Sequence, residues 1–438
     1  MRITDGYQNM FRIPELKQKL LFTAFILIIY RFGSHVPVPG VDTSALAGFF
    51  EAQRGTLLGL YDMFAGGNLS KATVFALGIM PYISASIILQ LMQAVVPALE
   101  KLAKEGEEGR AKITQYTRYL TVLLATVQAS GISIALETFA GPNGEPVVPE
   151  GGIFFKFITV VTLVAGTLFV MWLGEQITER GIGNGISLII TIGIIASYPG
   201  DVIRTFQQLG LGEMNYFQLI FLMVFMVAVI AAIIVMTQGQ RRIPVQYAKK
   251  MVGRRMYGGA ATHIPLKVNT AGVIPIIFAQ SIIMFPGTLA QMFPGSGGLQ
   301  WIASIFTPGA PIYILVYSTI IIFFAYFYTA VVLNPVDLAD NMKKYGGFIP
   351  GIRPGKRTAE FIDRVLTRVT LPGAVFLAIV AVIPDILIRQ FNVPFYFGGT
   401  GLLIVVGVAL DTLQQIESHL LMRNYDGFMK HGKLRGRR

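Results

Sequence analysis

Three stretches carry residue types and spacings from which chemistry could be built. Asn334-Pro335-Val336-Asp337-Leu338-Ala339-Asp340-Asn341 sets carboxylates at i and i+3 on one helix face, where Mg²⁺ could bridge them to a diphosphate, as in a membrane prenyltransferase. That reaction wants a second carboxylate cluster on the same membrane side, and none appears. The pair reads more simply as acids in the opening turn of a capped helix. Gly181-Ile182-Gly183-Asn184-Gly185 has the glycines of a nucleotide loop, but no strand precedes it and no Rossmann spacing follows, so it reads as a tight connection between two helices. Residues 351–356 have the wrong spacing for a phosphate cradle, and there is no His-Glu-x-x-His. With no Cys in the chain, a thiolate nucleophile, a disulfide framework, an iron–sulfur cluster and Cys-ligated zinc are excluded. The four His (His35, His263, His419, His431) lie in or beside loops. No catalytic residue, metal or cofactor is expected.

The elements around these residues are membrane helices. The chain has 438 residues, 53% of them hydrophobic and only 14% charged, with mean hydropathy +0.60, whereas a soluble domain carries about 25% charge. Apolar windows predict ten spans, at 20–38, 73–96, 119–136, 153–174, 185–199, 216–237, 272–294, 312–333, 369–388 and 398–416. With the N-terminus in the cytoplasm, 30 of the 36 Lys and Arg fall in cytoplasmic segments. This bias sets the orientation and puts both termini in the cytoplasm. The first apolar run continues into Arg31 and Pro37 without a cleavage pattern, so it is expected to remain as a span.

Two cytoplasmic segments are long and basic. Residues 238–271 hold Arg241, Arg242, Lys249, Lys250, Arg254, Arg255 and Lys267 with no acid, and 334–368 hold seven Lys and Arg against four acids. Both charge sets serve orientation and lipid headgroups. Their length and their Tyr, Pro and Gly content also suit a projecting surface for ribosomal RNA phosphates or an acidic protein.

An internal repeat is visible. Gly78-Ile79-Met80-Pro81-Tyr82-Ile83-Ser84-Ala85 and Gly272-Val273-Ile274-Pro275-Ile276-Ile277-Phe278-Ala279 share G-x-x-P-x-I-x-A at an offset of 194. Five spans separate the copies, so the second is inverted in the membrane, and the chain divides into halves at 1–205 and 206–438. Pro81 and Pro275 are expected to kink their helices toward the protein's centre. Residues 57–71, LLGLYDMFAGGNLSK, are too short to cross and are broken at Gly66-Gly67. They cap the external side or fold back into a water-lined funnel. No ionisable group stands at the middle of a span: Arg31, Glu137, Glu175 and Asp411 lie toward span ends. An ion-coupled secondary transporter would need such groups, and any driving energy must come from elsewhere.

MFAGGNLSKAT at 63–73, FALGIMPYISASII at 75–88, MWLGEQITERGIGNGIS at 171–187, GQRRIPVQYAKK at 239–250, HIPLKVNTAGVIPIIFAQSII at 263–283, NPVDLADNMKKYGGFIPGIRPGKRTA at 334–359 and PFYFGGTGLLIVV at 394–406 closely resemble the SecY/Sec61-alpha family of protein-conducting channels. The resemblance implies an all-α polytopic protein of ten transmembrane helices, in two inverted five-helix halves around an hourglass pore. It implies a pore ring of Ile79, Ile83, Ile190, Ile277 and Ile404. It implies a plug of Leu60, Tyr61, Asp62, Met63, Phe64, Ala65, Gly66, Gly67, Asn68, Leu69, Ser70 and Lys71. A lateral gate between the second and seventh spans takes in Pro81, Ser86, Pro275 and Gln280. Docking of the SecA ATPase or the ribosome carries over to Arg254, Arg255, Arg353, Lys356 and Arg357. Implied partners are SecE, SecG, signal peptides, nascent chains and membrane lipids, with SecDF, YidC and a higher-order oligomer as further candidates. The location implied is the bacterial plasma membrane. A narrow collar of Ile dewets and blocks ions, yet offers no fixed hydrogen-bond geometry that would select one passing sequence over another.

Overall fold

The computed structural model describes residues 13–53, 56–142, 144–212, 214–247, 250–252, 255–257, 261–292, 297–298, 301, 305–391 and 399–431. Arg254 lies outside the described residues. A helix covers most of each apolar window. In chain order these are α1 Pro14–Gly33, α2 Thr43–Ala52, α3 Leu57–Phe64, α4 Met80–Val95, α5 Pro97–Lys104, α6 Glu107–Thr138, α7 Ile153–Arg180 and α8 Gly185–Leu211. After them come α9 Tyr216–Gln238, α10 Ile274–Met292, α11 Pro311–Val332, α12 Pro335–Lys344, α13 Lys356–Phe391 and α14 Gly399–His431. Among the described residues, seven helices are long and apolar enough to cross a membrane, or eight when α4 and α5, bent by 100° at Val96, are taken as one. The others fall short for visible reasons. α1 carries Glu15, Lys17, Lys19 and Arg31, and the apolar helix Ile274–Gly287 is short.

Two expectations are corrected. Residues 73–79 are turns, and α4 begins only at Met80. Pro81 and Pro275 therefore do not kink helix interiors: each stands in the first turn of its helix, where the missing N–H would be unpaired anyway and the fixed φ suits the helix. The two copies of the repeat share this conformation, because Gly78 (φ 56°) and Gly272 (φ 62°) both take the left-handed backbone three residues ahead of the Pro.

The chain forms two compact units. The first comprises residues 1–204, 281–308 and 408–438. Here α4, α6 and α7 pack in sequence and α1 packs on α7. Gly166 of α7 admits the turn segment: a Cβ there would overlap the Val74 carbonyl. Arg118 of α6 holds Glu175 of α7 by two hydrogen bonds of 2.9 and 2.8 Å. The link Gly181–Gly185 is the tight connection expected. Its N–H groups are already used, Ile182 donating to Thr23 Oγ1 at 3.1 Å and Gly183 to Gln415 Oε1 at 3.0 Å, and Ile182 is buried with Leu16 and Ile416.

The second unit comprises residues 205–280 and 309–407. Its two basic segments are not separate loops. Strand β1 (Gln240–Tyr247) pairs antiparallel with β4 (Ala261–Lys267), Ile243 opposite Ile264. β5 (Gly347–Phe348) joins the other side of β1, Gln246 opposite Phe348. Short strands β2 (Lys250–Val252) and β3 (Arg255–Tyr257) form a hairpin between β1 and β4. One face of the sheet closes a core of Ile243, Val245, Leu266, Met342, Ile349, Ile362, Val365 and Leu366. Apolar residues of both segments and of α13 thus make one folded lobe. Leu266→Ala should weaken this lobe by about 2–5 kcal/mol and speed trypsin cleavage within 238–271 in detergent-solubilised protein. Unchanged cleavage would show that this core does not hold the sheet.

Candidate functional site

The segment after α3 turns back at Gly66 and Gly67, both left-handed (φ 78° and 72°). Its backbone is served from within. The Asp62 carboxylate accepts from the N–H groups of Leu69 (2.9 Å) and Ser70 (2.8 Å), and the Gly67 N–H donates to the Asp62 carbonyl at 2.8 Å. The Asn68 amide donates to the Ala65 carbonyl and to the Tyr30 hydroxyl, the latter at 3.2 Å. Leu60, Tyr61, Met63, Phe64, Ala65, Asn68 and Leu69 are buried, Asp62, Gly66, Gly67 and Ser70 are partly buried, and Lys71 is exposed. The segment sits in close backbone contact with α8, for a Cβ at Gly193 would be 3.0 Å from Gly66 Cα, and one at Gly78 would be 3.3 Å from Ala65 Cα. Sequence reasoning missed Tyr30 and Gly193; a lone Gly inside the apolar window 185–199 was the available signal.

Ile79, Ile83 and Ile190 belong to the first unit, Ile277 and Ile404 to the second, and all five are buried, Ile277 the most accessible at 6%. Ile79 caps α4 and its carbonyl accepts the Ile83 N–H at 3.1 Å. Ser86 accepts from Gln90 Nε2 at 3.1 Å. Gln280 is buried, and its Nε2 has no hydrogen-bond partner among the described residues. Such side chains offer apolar walls and isolated amides, and no proton-transfer pair.

The lobe of the second unit presents the basic residues. Arg241, Arg242, Arg353, Lys356 and Arg357 are exposed, whereas only the backbone of Arg255 is described, in β3. Lys356 and Arg357 open α13, the end of a helix that disfavours cations. They do not serve helix stability, and together with Arg353 they form a field suited to anions. Asp337 stands in the first turn of α12, where Asn334 Oδ1 accepts the Val336 N–H at 3.0 Å. This is the capped helix start expected. Among the described residues no group of three or more His, Cys, Asp or Glu could hold a metal.

The SecY family model matches residues 73–413. The chain belongs to the SecY family. It is 50% identical to protein translocase subunit SecY of Escherichia coli strain K12, over 97% of this chain and 96% of that one. Its fold is that of known channels. A solved structure described as showing that the plug domain of the SecY protein stabilises the closed state of the translocation channel matches with TM-score 0.68 and 20% identity, covering 92% of both chains. Sec61 in the canine ribosome–channel complex matches with TM-score 0.64 and 18% identity over 92% of this chain and 93% of that one. This SecY-family chain is an all-α, multi-pass membrane protein and a protein-conducting channel subunit, not an enzyme. The transporter and prenyltransferase readings are not favoured.

The seat of residues 60–71 gives a direct check. A Cβ at Gly78 would lie 3.7 Å from Ala65 Cβ, inside the range of a disulfide, and the chain has no other Cys. Ala65→Cys with Gly78→Cys should oxidise spontaneously in resting membranes, read as a reductant-sensitive shift after cleavage between the two positions. Failure to cross-link in a double variant that still exports at the wild-type rate, which excludes distortion by a Cys at the left-handed Gly78, would place the segment elsewhere at rest.

Proposed function

We propose that this SecY-family subunit passes unfolded secretory chains through a constriction formed by Ile79, Ile83, Ile190, Ile277 and Ile404. Residues 60–71 plug it at rest, and transmembrane segments leave sideways at a gate that includes Pro81, Ser86, Pro275 and Gln280. The observation that carries this reading is the 60–71 segment itself: too short to span, largely buried, folded back through two left-handed glycines, with the Leu69 and Ser70 N–H groups held by Asp62. Irregular backbone of this kind survives at membrane depth only inside protein or beside a water-filled cavity. The ring residues supply apolar surface alone. A collar of this chemistry dewets when empty and has no polar group with which to select a sequence.

The halves 1–205 and 206–438 are related by inversion in this reading, supported by the repeated Gly-x-x-Pro helix start. The chain sits in the bacterial plasma membrane with both termini cytoplasmic, as its Lys and Arg distribution requires. SecE and SecG accompany it, and SecDF and YidC are candidate associates. Energy comes from outside, because the chain has no nucleotide cradle and no mid-span charge. The SecA ATPase and the ribosome dock on the basic lobe through Arg254, Arg255, Arg353, Lys356 and Arg357.

The test is cross-linking. Photoreactive residues at 79, 83 and 277 should capture a stalled secretory chain, while positions on the lipid side of α9, such as Val224, should not. Capture from 224 alone would sink the constriction. Arg353→Glu should lower export into reconstituted vesicles about ten-fold or more while the complex still assembles; wild-type export would remove Arg353 from the docking surface.

A further inference from the structure

Tyr30 plays no part in the reading above, yet its hydroxyl lies where three parts of the first unit meet. The side chain comes from α1 and is 2% exposed. Its ring is clamped by stacking on Phe75, with centroids 5.7 Å apart and planes 7° from parallel. The hydroxyl accepts the Asn68 amide at 3.2 Å, and it would be 3.2 Å from a Cβ at Gly66 and 3.7 Å from one at Gly193. The bonds of Asp62 to Leu69 and Ser70, and of Thr73 to the Asn68 carbonyl, lie within residues 62–73 and can travel with that segment. The bond to Tyr30 cannot, because its acceptor belongs to a different helix.

Asn68 is itself 1% exposed, and its Oδ1 is buried with no hydrogen-bond partner among the described residues. A buried carbonyl left unpaired penalises the seated state. One atom of this side chain holds the segment in place while the other works against it.

We propose that Tyr30 is a positioning residue for channel closure: its hydroxyl latches Asn68 and so seats the plug, and the unpartnered Asn68 Oδ1 keeps that latch weak enough to release. The inference rests on residues 60–71 being the plug. It assigns the resting position to a pair of side chains, one on the moving segment and one on the fixed wall.

The experiment is the ion conductance of the idle channel, measured with the full complex in planar bilayers. Tyr30→Phe keeps the stacked ring and removes the hydroxyl that accepts from Asn68, and should raise the open fraction about five-fold, the loss expected for one ordinary hydrogen bond. Asn68→Leu also takes a donor from the Ala65 carbonyl, so it serves as the reference background: adding Tyr30→Phe to it should raise conductance no further, because the bond between the two side chains is already gone. A merely structural role for Tyr30 would make the double variant leakier than either single one. Conductance at the wild-type level in Tyr30→Phe, or additive effects in the double variant, would overturn the latch. A chain lacking residues 62–70 separates the two claims. Raised conductance in that deletion with none in Tyr30→Phe removes the latch alone, and unchanged conductance in both removes the plug reading with it.

Discussion

Water does not reach the hydrocarbon core, so each backbone N–H and C=O at membrane depth must find its partner within protein. Helices meet that demand residue by residue, which is why an apolar chain of this length is built almost wholly from them. Residues 60–79 are where the demand is hardest to meet. The Asp62 carboxylate, the Asn68 side chain and two left-handed glycines close the turn. The stretch after it shares bonds with residues 36–38, Val38 N–H to the Ala72 carbonyl at 2.8 Å and Val74 N–H to the Val36 carbonyl at 2.9 Å. With its backbone served this way, an irregular segment can occupy one defined position, which is what the plug proposed above requires.

The residues proposed for the constriction need no chemistry of their own. Ile79, Ile83 and Ile190 are held by the first unit and Ile277 and Ile404 by the second, and none can form a hydrogen bond through its side chain. A translocating polymer varies at every position, so a wall with directional donors and acceptors would retard some sequences and pass others. Apolar side chains avoid this, and in the function proposed above residues 60–71 back up the seal.

Much of the basic charge stands on a lobe whose core does not contain it. The core beneath the β1–β4–β5 sheet is aliphatic, while Arg241, Arg242, Arg353, Lys356 and Arg357 stand on its exterior. Two of these occupy the start of α13 against the helix dipole. Cations placed against the helix dipole suit the docking role proposed above, in which phosphate or carboxylate groups of a partner would offset them.

Hydropathy and charge act locally and add along the chain, and for that reason the all-α membrane class, the position of most apolar helices, the capped start at Asn334 and the link at Gly181–Gly185 were legible in the residues alone. The Gly-x-x-Pro repeat was legible as a pattern, but its conformation was not. A window average cannot tell a helix interior from a helix start, so Pro81 and Pro275 read as kinks until the left-handed Gly78 and Gly272 located them in first turns. Tertiary structure alone decided the rest. Tyr30 meets Asn68, Gly66 meets Gly193, and Gln246 pairs with Phe348. Each is a contact between residues far apart in the chain, fixed by close packing and hydrogen-bond geometry, and one-dimensional composition does not record such contacts.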